Sequence, residues 1–137
     1  MTAKPVTVAI VEDNNTLRAQ LVEMLKHESS LQCIGAFPDA EQALARLPGL
    51  NPAVVLMDIK LPGMSGVECV ARLSPLLTKT QVIMITVYDD SDSVFESLAA
   101  GASGYLLKPV EQSQLKAAID EVRAGGAPMS MSIARRV

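Results

Sequence analysis

Apolar residues cluster in five short runs along the chain, and residues typical of turns bound each run. A short apolar run of this kind suits a β-strand that is buried on both faces of a sheet. The second run is the least uniformly apolar, so we expect its strand to lie nearer an edge of the sheet. The predicted strands cover residues 6–11, 31–37, 53–57, 81–85 and 105–107.

Between these runs, apolar residues recur every three or four positions, which is the period of an amphipathic α-helix. Residues that cap helix N-termini precede the first two helices at Asn14 and Asp39, and Ser91 or Ser93 is expected to cap the fourth. Pro48, Gly49 and Pro52 are expected to close the second helix. The predicted helices cover about residues 15–27, 40–47, 66–73, 94–99 and 115–122.

Strand and helix alternate five times, with no internal repeat and no low-complexity tract. This alternation predicts an α/β fold, a parallel sheet with helices on both faces. A chain of 137 residues fits one domain with one sizeable core, and we assign that domain to residues 1–124. Residues 125–137 are interpreted as a tail or the start of a linker, because they resemble a helix cap followed by a first turn.

Polar residues follow the strands at the carboxyl end of each predicted run. Glu12 and Asp13 follow the first strand, Asp58 the third, Thr86 the fourth and Lys108 the fifth. Parallel strands place their carboxyl ends at one edge of a sheet, so these side chains should converge. Three acids in one place repel each other unless a cation lies between them, and Mg²⁺ prefers oxygen ligands. A structural ion-pair network is the alternative, but it explains neither the threonine nor the strand-end positions.

The composition excludes several classes of protein. Apolar residues make up 49% and charged residues 20%, which is typical of a globular chain. The net charge is −3 and no dense run of Lys or Arg occurs, so this chain alone is a poor nucleic-acid binder. It lacks an apolar stretch long enough to span a membrane. Cys33 and Cys69 are isolated and His27 is the only histidine, so we expect reduced thiols, no zinc site and a cytoplasmic location.

The motifs taken together resemble the receiver domain of bacterial two-component response regulators over about residues 6–124. The resemblance rests on Glu12-Asp13, Asp58 in Met-Asp-Ile-Lys-Leu-Pro-Gly-Met-Ser-Gly, Thr86 after Val-Ile-Met-Ile, and Lys108-Pro109. It implies a doubly wound, five-stranded parallel sheet of flavodoxin-like order 2-1-3-4-5 with five helices. It also implies a signalling switch and no enzyme beyond self-catalysed phosphoryl acceptance and autodephosphorylation.

The resemblance implies a role for each residue at the predicted edge. Asp58 is the nucleophile that takes a phosphoryl group from a sensor histidine kinase. Asp13 and Asp58, with the backbone carbonyl of Lys60, bind Mg²⁺, and Glu12 assists through water. Lys108 pairs with the phosphoryl oxygens. A carboxylate can accept a phosphoryl group covalently, and such transfer depends on positioning and on neutralising oxygen charge.

Further positions are implied to set the switch and its lifetime. Thr86 and Tyr105 form the switch pair: the hydroxyl of Thr86 swings to the phosphoryl group, and Tyr105 enters from the surface into the space that it leaves. The side chains of Lys60 and Tyr88 are expected to flank the approach of the hydrolytic water. The Lys108-Pro109 peptide bond is expected to be cis.

The sequence is compatible with two forms of receiver. In the favoured form, the tail that includes Arg135-Arg136 leads to a helix-turn-helix DNA-binding domain outside this chain, so DNA is contacted only through that domain. In the other form, a stand-alone receiver acts through protein contacts. A homodimer is compatible with both forms.

Three rivals come from other classes of protein. A haloacid-dehalogenase-like phosphotransferase also has an Asp nucleophile at a strand end, but it expects an acid where this chain has Lys60. A flavodoxin-like FMN binder requires hydroxyl and glycine contacts to phosphate after the first strand, where Glu12 and Asp13 stand. A nucleotide enzyme of the P-loop class requires a glycine-rich Lys-Ser/Thr motif that this sequence lacks.

Overall fold

The computed structural model describes residues 4–137 and contains one five-stranded sheet and six helices. The strands are β1 (Val6–Val11), β2 (Leu31–Phe37), β3 (Val54–Met57), β4 (Gln81–Thr86) and β5 (Gly104–Leu107). The helices are α1 (Asn15–Lys26), α2 (Ala40–Leu50), α3 (Gly66–Leu73), α4 (Ser91–Ala100), α5 (Gln112–Arg123) and α6 (Met131–Ala134). The five predicted helices are present, and α6 is a sixth, at the position where the sequence indicated a first turn.

The sheet has the order β2-β1-β3-β4-β5, and every neighbouring pair of strands is parallel. This order confirms the predicted fold class, and β2 lies at an edge as expected. The register aligns the last residues of the central strands, with Val11 opposite Met57 and Met57 opposite Met84. The residues that follow these strands therefore emerge side by side at one edge.

Two apolar layers hold the helices on the sheet, because successive side chains of a strand point to opposite faces. Ala9, Val55 and Met84 belong to the layer that packs against α2, α3 and α4. Ile10 and Leu56 belong to the layer that packs against α1 and α5. Buried side chains on both faces make the central strands nearly continuous apolar runs, which is the pattern that the sequence displays.

The end of α2 differs from the prediction. Pro48 does not close the helix, which continues to Leu50. A proline in the last turn removes one backbone hydrogen bond, and the surrounding contacts compensate for that loss. Leu50 packs against the core, and Asn51 caps the helix in the left-handed conformation with its N–H donating to the Leu47 carbonyl at 2.8 Å.

The start of α4 also differs from the prediction. Asp90, rather than Ser91 or Ser93, is the N-cap. Its carboxylate accepts hydrogen bonds from the backbone N–H and the hydroxyl of Ser93. The hydrogen bond from the Ser93 backbone is the main cause that lowers the pKa of Asp90. Aspartate and serine are almost equally good N-caps, so residue type alone does not separate the three candidates.

The C-terminal tail packs along the edge of β5. The Tyr105 N–H donates to the Pro128 carbonyl at 2.9 Å, and the Ser130 N–H donates to the Tyr105 carbonyl at 3.1 Å. Gly104 is required at this contact, since a Cβ there would lie 2.8 Å from Pro128. Ile133 of α6 is fully buried in the apolar layer that contains Tyr105. The tail therefore covers an otherwise open strand edge, while the division at residue 124 stays a prediction.

The two thiols lie in different surroundings. Cys33 is partly buried and Cys69 is buried, and both are free. Burial is the main cause that raises the pKa of Cys69 to about 12, so this thiol is unreactive near neutral pH. Within residues 4–137, no helix is both long enough and apolar enough to cross a membrane.

Replacing Ile133 tests whether the tail is part of the folded unit. We expect Ile133→Ala to lower the free energy of unfolding by about 2–4 kcal/mol, because it leaves a cavity beside β5. Met131→Ala in the same helix should change it by less than about 0.5 kcal/mol, since Met131 is 73% exposed. Urea unfolding followed by circular dichroism measures both. Equal, small effects would show that α6 is detached in solution.

Candidate functional site

The strand-end residues lie at one edge of the sheet, and backbone hydrogen bonds extend past the strand ends to hold them. The Glu12 N–H donates to the Phe37 carbonyl at 3.0 Å, and the Asp58 N–H donates to the Val11 carbonyl at 3.1 Å. The Lys108 N–H donates to the Thr86 carbonyl at 2.9 Å. Each functional side chain therefore leaves a backbone that the neighbouring strand fixes. The Lys108–Pro109 peptide bond is cis, as expected.

One lysine joins two of the acids. The Nζ atom of Lys108 lies 2.7 Å from Oε1 of Glu12 and 2.9 Å from Oδ2 of Asp58. The side chains of Glu12, Asp58 and Lys108 are 3%, 10% and 16% exposed, so these ion pairs lie in a poorly hydrated place. Charged hydrogen bonds there are strong, and the loss of one partner leaves a buried charge uncompensated.

Burial and ion pairing act against each other in this group. Burial raises the pKa of Glu12, although the hydrogen bond from Lys108 lowers it in part. Burial alone would lower the pKa of Lys108, but its hydrogen bonds to Glu12 and Asp58 outweigh that effect and raise the pKa. The ammonium group therefore stays charged at neutral pH.

Three carboxylates at this edge could hold a cation. One oxygen each from Glu12, Asp13 and Asp58 can be chosen so that all lie within 4.8 Å of one another. Asp13 is exposed, so its carboxylate faces solvent while the other two are buried. An all-oxygen donor set with access to water suits a hard divalent cation such as Mg²⁺, which keeps several of its own waters.

The acids open onto a cavity of about 450 Å³. Besides the acids and Lys108, Lys60, Val87 and Tyr88 line this cavity, so the two positions expected to flank the water path do border it. A shallower groove of about 840 Å³ runs along α1, but none of the strand-end residues lines it. The candidate functional site is therefore the cavity of about 450 Å³ that the acids border.

The loop after Asp58 is held tightly on both sides. The Ile59 N–H donates to Oδ1 of Asp58 at 2.7 Å. The first residue of α3 must be glycine, because a Cβ on Gly66 would lie 1.8 Å from the Asp58 carbonyl oxygen. Glu41 of α2 accepts a hydrogen bond from the Met64 N–H at 3.2 Å. The carboxylate of Asp58 is thus preorganised toward the cavity.

The position of Tyr105 differs from the expectation. Its ring is fully buried rather than at the surface, and its hydroxyl donates to the Tyr88 carbonyl at 2.7 Å. Burial is the main cause that raises its pKa. Thr86 is also fully buried, and its Oγ1 atom accepts the Tyr88 N–H at 3.4 Å. The ring belongs to the same apolar layer as Ile133 of α6, and the hydrogen bond to Tyr88 satisfies the buried hydroxyl.

Sequence reasoning missed two residues that support the loops of the site. Arg18 donates from Nη1 to the Glu12 carbonyl at 2.7 Å, and Glu41 binds the loop after Asp58. Each comes early in the helix that follows a strand, where a long side chain can reach back over its own N-terminus. Their charge and position in the first turns were the available signals, but such residues are common on exposed helix surfaces.

Comparisons with known proteins agree on one family. The family model for the response regulator receiver domain matches residues 8–120. The transcriptional regulatory protein UhpA of Escherichia coli is 34% identical over 129 residues, which are 94% of this chain and 64% of that protein. The transcriptional activator DevR/DosR of Mycobacterium tuberculosis is 30% identical over 120 residues, 88% of this chain and 55% of that protein. The chain thus spans between half and two thirds of these relatives.

Solved structures agree with the sequence relatives. A LuxR-family response regulator from Aurantimonas sp. has a TM-score of 0.90 at 25% identity, covering 97% of this chain and 95% of that one. A CheY-like receiver domain protein from Methanospirillum hungatei has a TM-score of 0.83 at 29% identity, covering 89% of this chain and 96% of that one. The likeness extends over nearly all of this chain.

Removing the shared lysine tests the energetics of the edge. We expect Lys108→Met to lower the free energy of unfolding at pH 7 by about 1–3 kcal/mol, because Glu12 and Asp58 lose their counter-charge. Adding Glu12→Gln should recover part of that loss, since the buried charge then disappears. Chemical denaturation measures both.

The control is Lys26→Met. Lys26 pairs with Glu23 at 3.6 Å, and both side chains are more than half exposed, at 65% and 61%. Its removal should change stability by less than about 1 kcal/mol. Equal effects of the two lysine replacements would contradict the assigned role of Lys108.

Proposed function

This chain belongs to the response regulator receiver domain family, and from that premise we propose that Asp58 is the residue that accepts the phosphoryl group. A receiver domain of a two-component response regulator is a phosphorylation-dependent signalling switch. The observation that carries the assignment is the convergence of Lys108, Glu12 and Asp13 on Asp58 at an open cavity. Family membership removes the phosphotransferase, flavin and P-loop alternatives.

The proposed reaction is a direct transfer. A carboxylate oxygen of Asp58 attacks the phosphorus of a phosphohistidine on a sensor kinase. The phosphorus–nitrogen bond breaks, and its electron pair returns to the imidazole of the kinase. Lys108 already lies 2.9 Å from Asp58, so its ammonium can turn to a phosphoryl oxygen without leaving the cavity. Preorganised positive charge of this kind lowers the barrier to phosphoryl transfer.

The residues that would hold Mg²⁺ are Asp13, Asp58 and the backbone carbonyl of Lys60, with Glu12 assisting through water. When bound, the ion neutralises charge on the phosphoryl oxygens and on the acid cluster. The all-oxygen donor set supports this assignment. The protein's own part is to hold the carboxylates of Glu12 and Asp58 beside Lys108 and to leave Asp13 accessible.

The proposed switch connects Asp58, which follows β3, to Tyr105 of β5 on the other side of β4. Thr86 turns its hydroxyl from the Tyr88 N–H toward the phosphoryl group. The backbone of Tyr88 then loses its hydrogen bond to Thr86. It keeps the hydrogen bond that its carbonyl accepts from the Tyr105 hydroxyl. The segment between β4 and α4 is the element that moves. A new local charge thereby biases a two-state loop.

The partner and output assignments are proposals. A sensor histidine kinase is the phosphodonor. The relatives named above are transcriptional regulators, which supports an output domain that binds DNA and lies outside this chain. The net charge of −3 makes DNA binding by these residues alone unfavourable. A second copy of the chain as partner stays a prediction.

Intact-mass spectrometry tests the function. Incubation with acetyl phosphate and Mg²⁺ should add one phosphoryl group, and Asp58→Asn should abolish the addition because the nucleophile is gone. Asp120→Asn, on the exposed face of α5, is the control and should be phosphorylated like the wild type. An adduct that persists in Asp58→Asn would show that the acceptor is another residue.

A second prediction concerns the lifetime of the acyl phosphate. Tyr88 borders the cavity, and we propose that its ring hinders the water that hydrolyses the acyl phosphate. Tyr88→Ala should speed dephosphorylation severalfold, measured as the loss of phosphorylated mass after the donor is removed. Tyr105 binds the backbone carbonyl of residue 88, which the alanine retains, so the switch contact is preserved.

Tyr88→Phe keeps the ring, so its acyl phosphate should decay at the rate of the wild type. Lys60 borders the same cavity with an exposed side chain, and its contribution is read from Lys60→Ala in the same assay. Equal or slower decay in Tyr88→Ala would show that the ring does not shield the site.

A further inference from the structure

We propose that Arg18 is a positioning residue for the cation site, acting through the peptide that joins Glu12 to Asp13. This inference rests on the proposed function, because it concerns how the same site binds Mg²⁺. The observation behind it is that Nη1 of Arg18 lies 2.7 Å from the carbonyl oxygen of Glu12. That carbonyl belongs to the peptide bond whose nitrogen is the backbone nitrogen of Asp13.

The acids of the cluster differ in how they are held. The carboxylate of Asp58 accepts hydrogen bonds from the Ile59 N–H and from Lys108. The carboxylate of Glu12 accepts hydrogen bonds from Lys108 and from the Asn14 N–H. The carboxylate of Asp13 is exposed and has no hydrogen bond within residues 4–137. The direction of the Asp13 carboxylate therefore depends on its own side-chain torsions and on the backbone that carries it.

That backbone is fixed from two sides. On one side, the Glu12 N–H donates to the Phe37 carbonyl of β2 at 3.0 Å. On the other side, Arg18 holds the Glu12 carbonyl. Asn14, on the far side of Asp13, is held by its own hydrogen bonds, since its N–H donates to the Glu12 carboxylate. Arg18 holds the carbonyl of the Glu12–Asp13 peptide itself, so the guanidinium further restricts rotation of that peptide and limits where the Asp13 carboxylate can point.

The guanidinium is itself held in place. Its Nη2 atom donates to Oδ1 of Asn15 at 2.6 Å, while Nη1 binds Glu12. The Arg18 N–H donates to the Asn14 carbonyl, and the Asn14 side chain caps α1 by accepting the Leu17 N–H. The planar fork of arginine can make both side-chain bonds at once, whereas the single ammonium of lysine cannot reproduce that geometry.

The charge of Arg18 and its positioning role predict opposite changes in Mg²⁺ affinity when Arg18 is replaced. By Coulomb's law alone, loss of a positive charge beside three acids would tighten the binding of a cation. Solvent weakens this effect, since at 4 Å in water two unit charges interact by only about 1 kcal/mol. Loss of a group that orients a metal ligand weakens metal binding by about 10-fold to 100-fold. Weaker Mg²⁺ binding after replacement of Arg18 would therefore identify the positioning role.

Isothermal titration calorimetry of Mg²⁺ at fixed ionic strength is the test. We expect Arg18→Met to raise the dissociation constant about tenfold. Arg18→Lys should also raise it, because the charge stays but the fork is lost. The charge-matched control is Arg46→Met on the exposed surface of α2, which should bind Mg²⁺ like the wild type. Unfolding in the presence of EDTA checks that each variant is folded.

A double-mutant cycle separates positioning from a general structural effect. If Arg18 acts through Asp13, then Arg18→Met should add little to the weakening caused by Asp13→Asn. Fully additive effects would contradict the inference, and so would Mg²⁺ binding to Arg18→Met that equals or exceeds that of the wild type. Absence of Mg²⁺ binding in the wild type would overturn the proposed function itself, and the inference with it.

Discussion

The structure depends on one lysine that neutralises two carboxylates in a poorly hydrated place. Lys108 lies within 3 Å of both Glu12 and Asp58, and each of these residues directly follows a different strand of the sheet. Without that charge, two acids close together and away from solvent would strongly oppose each other's ionisation. With it, the carboxylate of Asp58 has a counter-charge 2.9 Å away at the border of the cavity. The same ammonium is already placed for the charge that a phosphoryl group would bring.

Strand β5, which Lys108 directly follows, also connects the site to the tail. Tyr105 and Leu107 of β5 bind the tail through their backbones, while the Tyr105 hydroxyl binds the segment after β4. At the far end of the tail, Arg136 donates to the Ser91 hydroxyl at the start of α4. The proposed moving segment is therefore bordered by groups that contact the tail. A change at Thr86 has a short physical route to residues 128–136, through packed side chains and backbone hydrogen bonds.

The fold and the members of the acid cluster could be predicted because their signals are local. Apolar runs gave the strands, and the parallel arrangement of the strands brought Glu12, Asp58 and Lys108 to one edge. Other features depend on contacts between distant parts of the chain. Tyr105 is buried in an apolar layer that it shares with Ile133 of the tail, and Arg18 reaches the Glu12 carbonyl through a particular side-chain conformation. The end of α2 differs from the prediction because Leu50 packs against the core beyond Pro48 and Asn51 caps the helix there. The start of α4 differs because aspartate and serine are almost equally good N-caps.

The cluster around Asp58 is proposed to be one site, which takes a cation and a phosphoryl group together. The direct test is a Mg²⁺ titration of the wild type with and without beryllofluoride, an analogue of the phosphoryl group. Two ligands that share one site must change each other's affinity by the same factor. We expect beryllofluoride to lower the Mg²⁺ dissociation constant by about tenfold or more, and Mg²⁺ to lower that of beryllofluoride by the same factor. Unchanged Mg²⁺ affinity in the presence of beryllofluoride would contradict it.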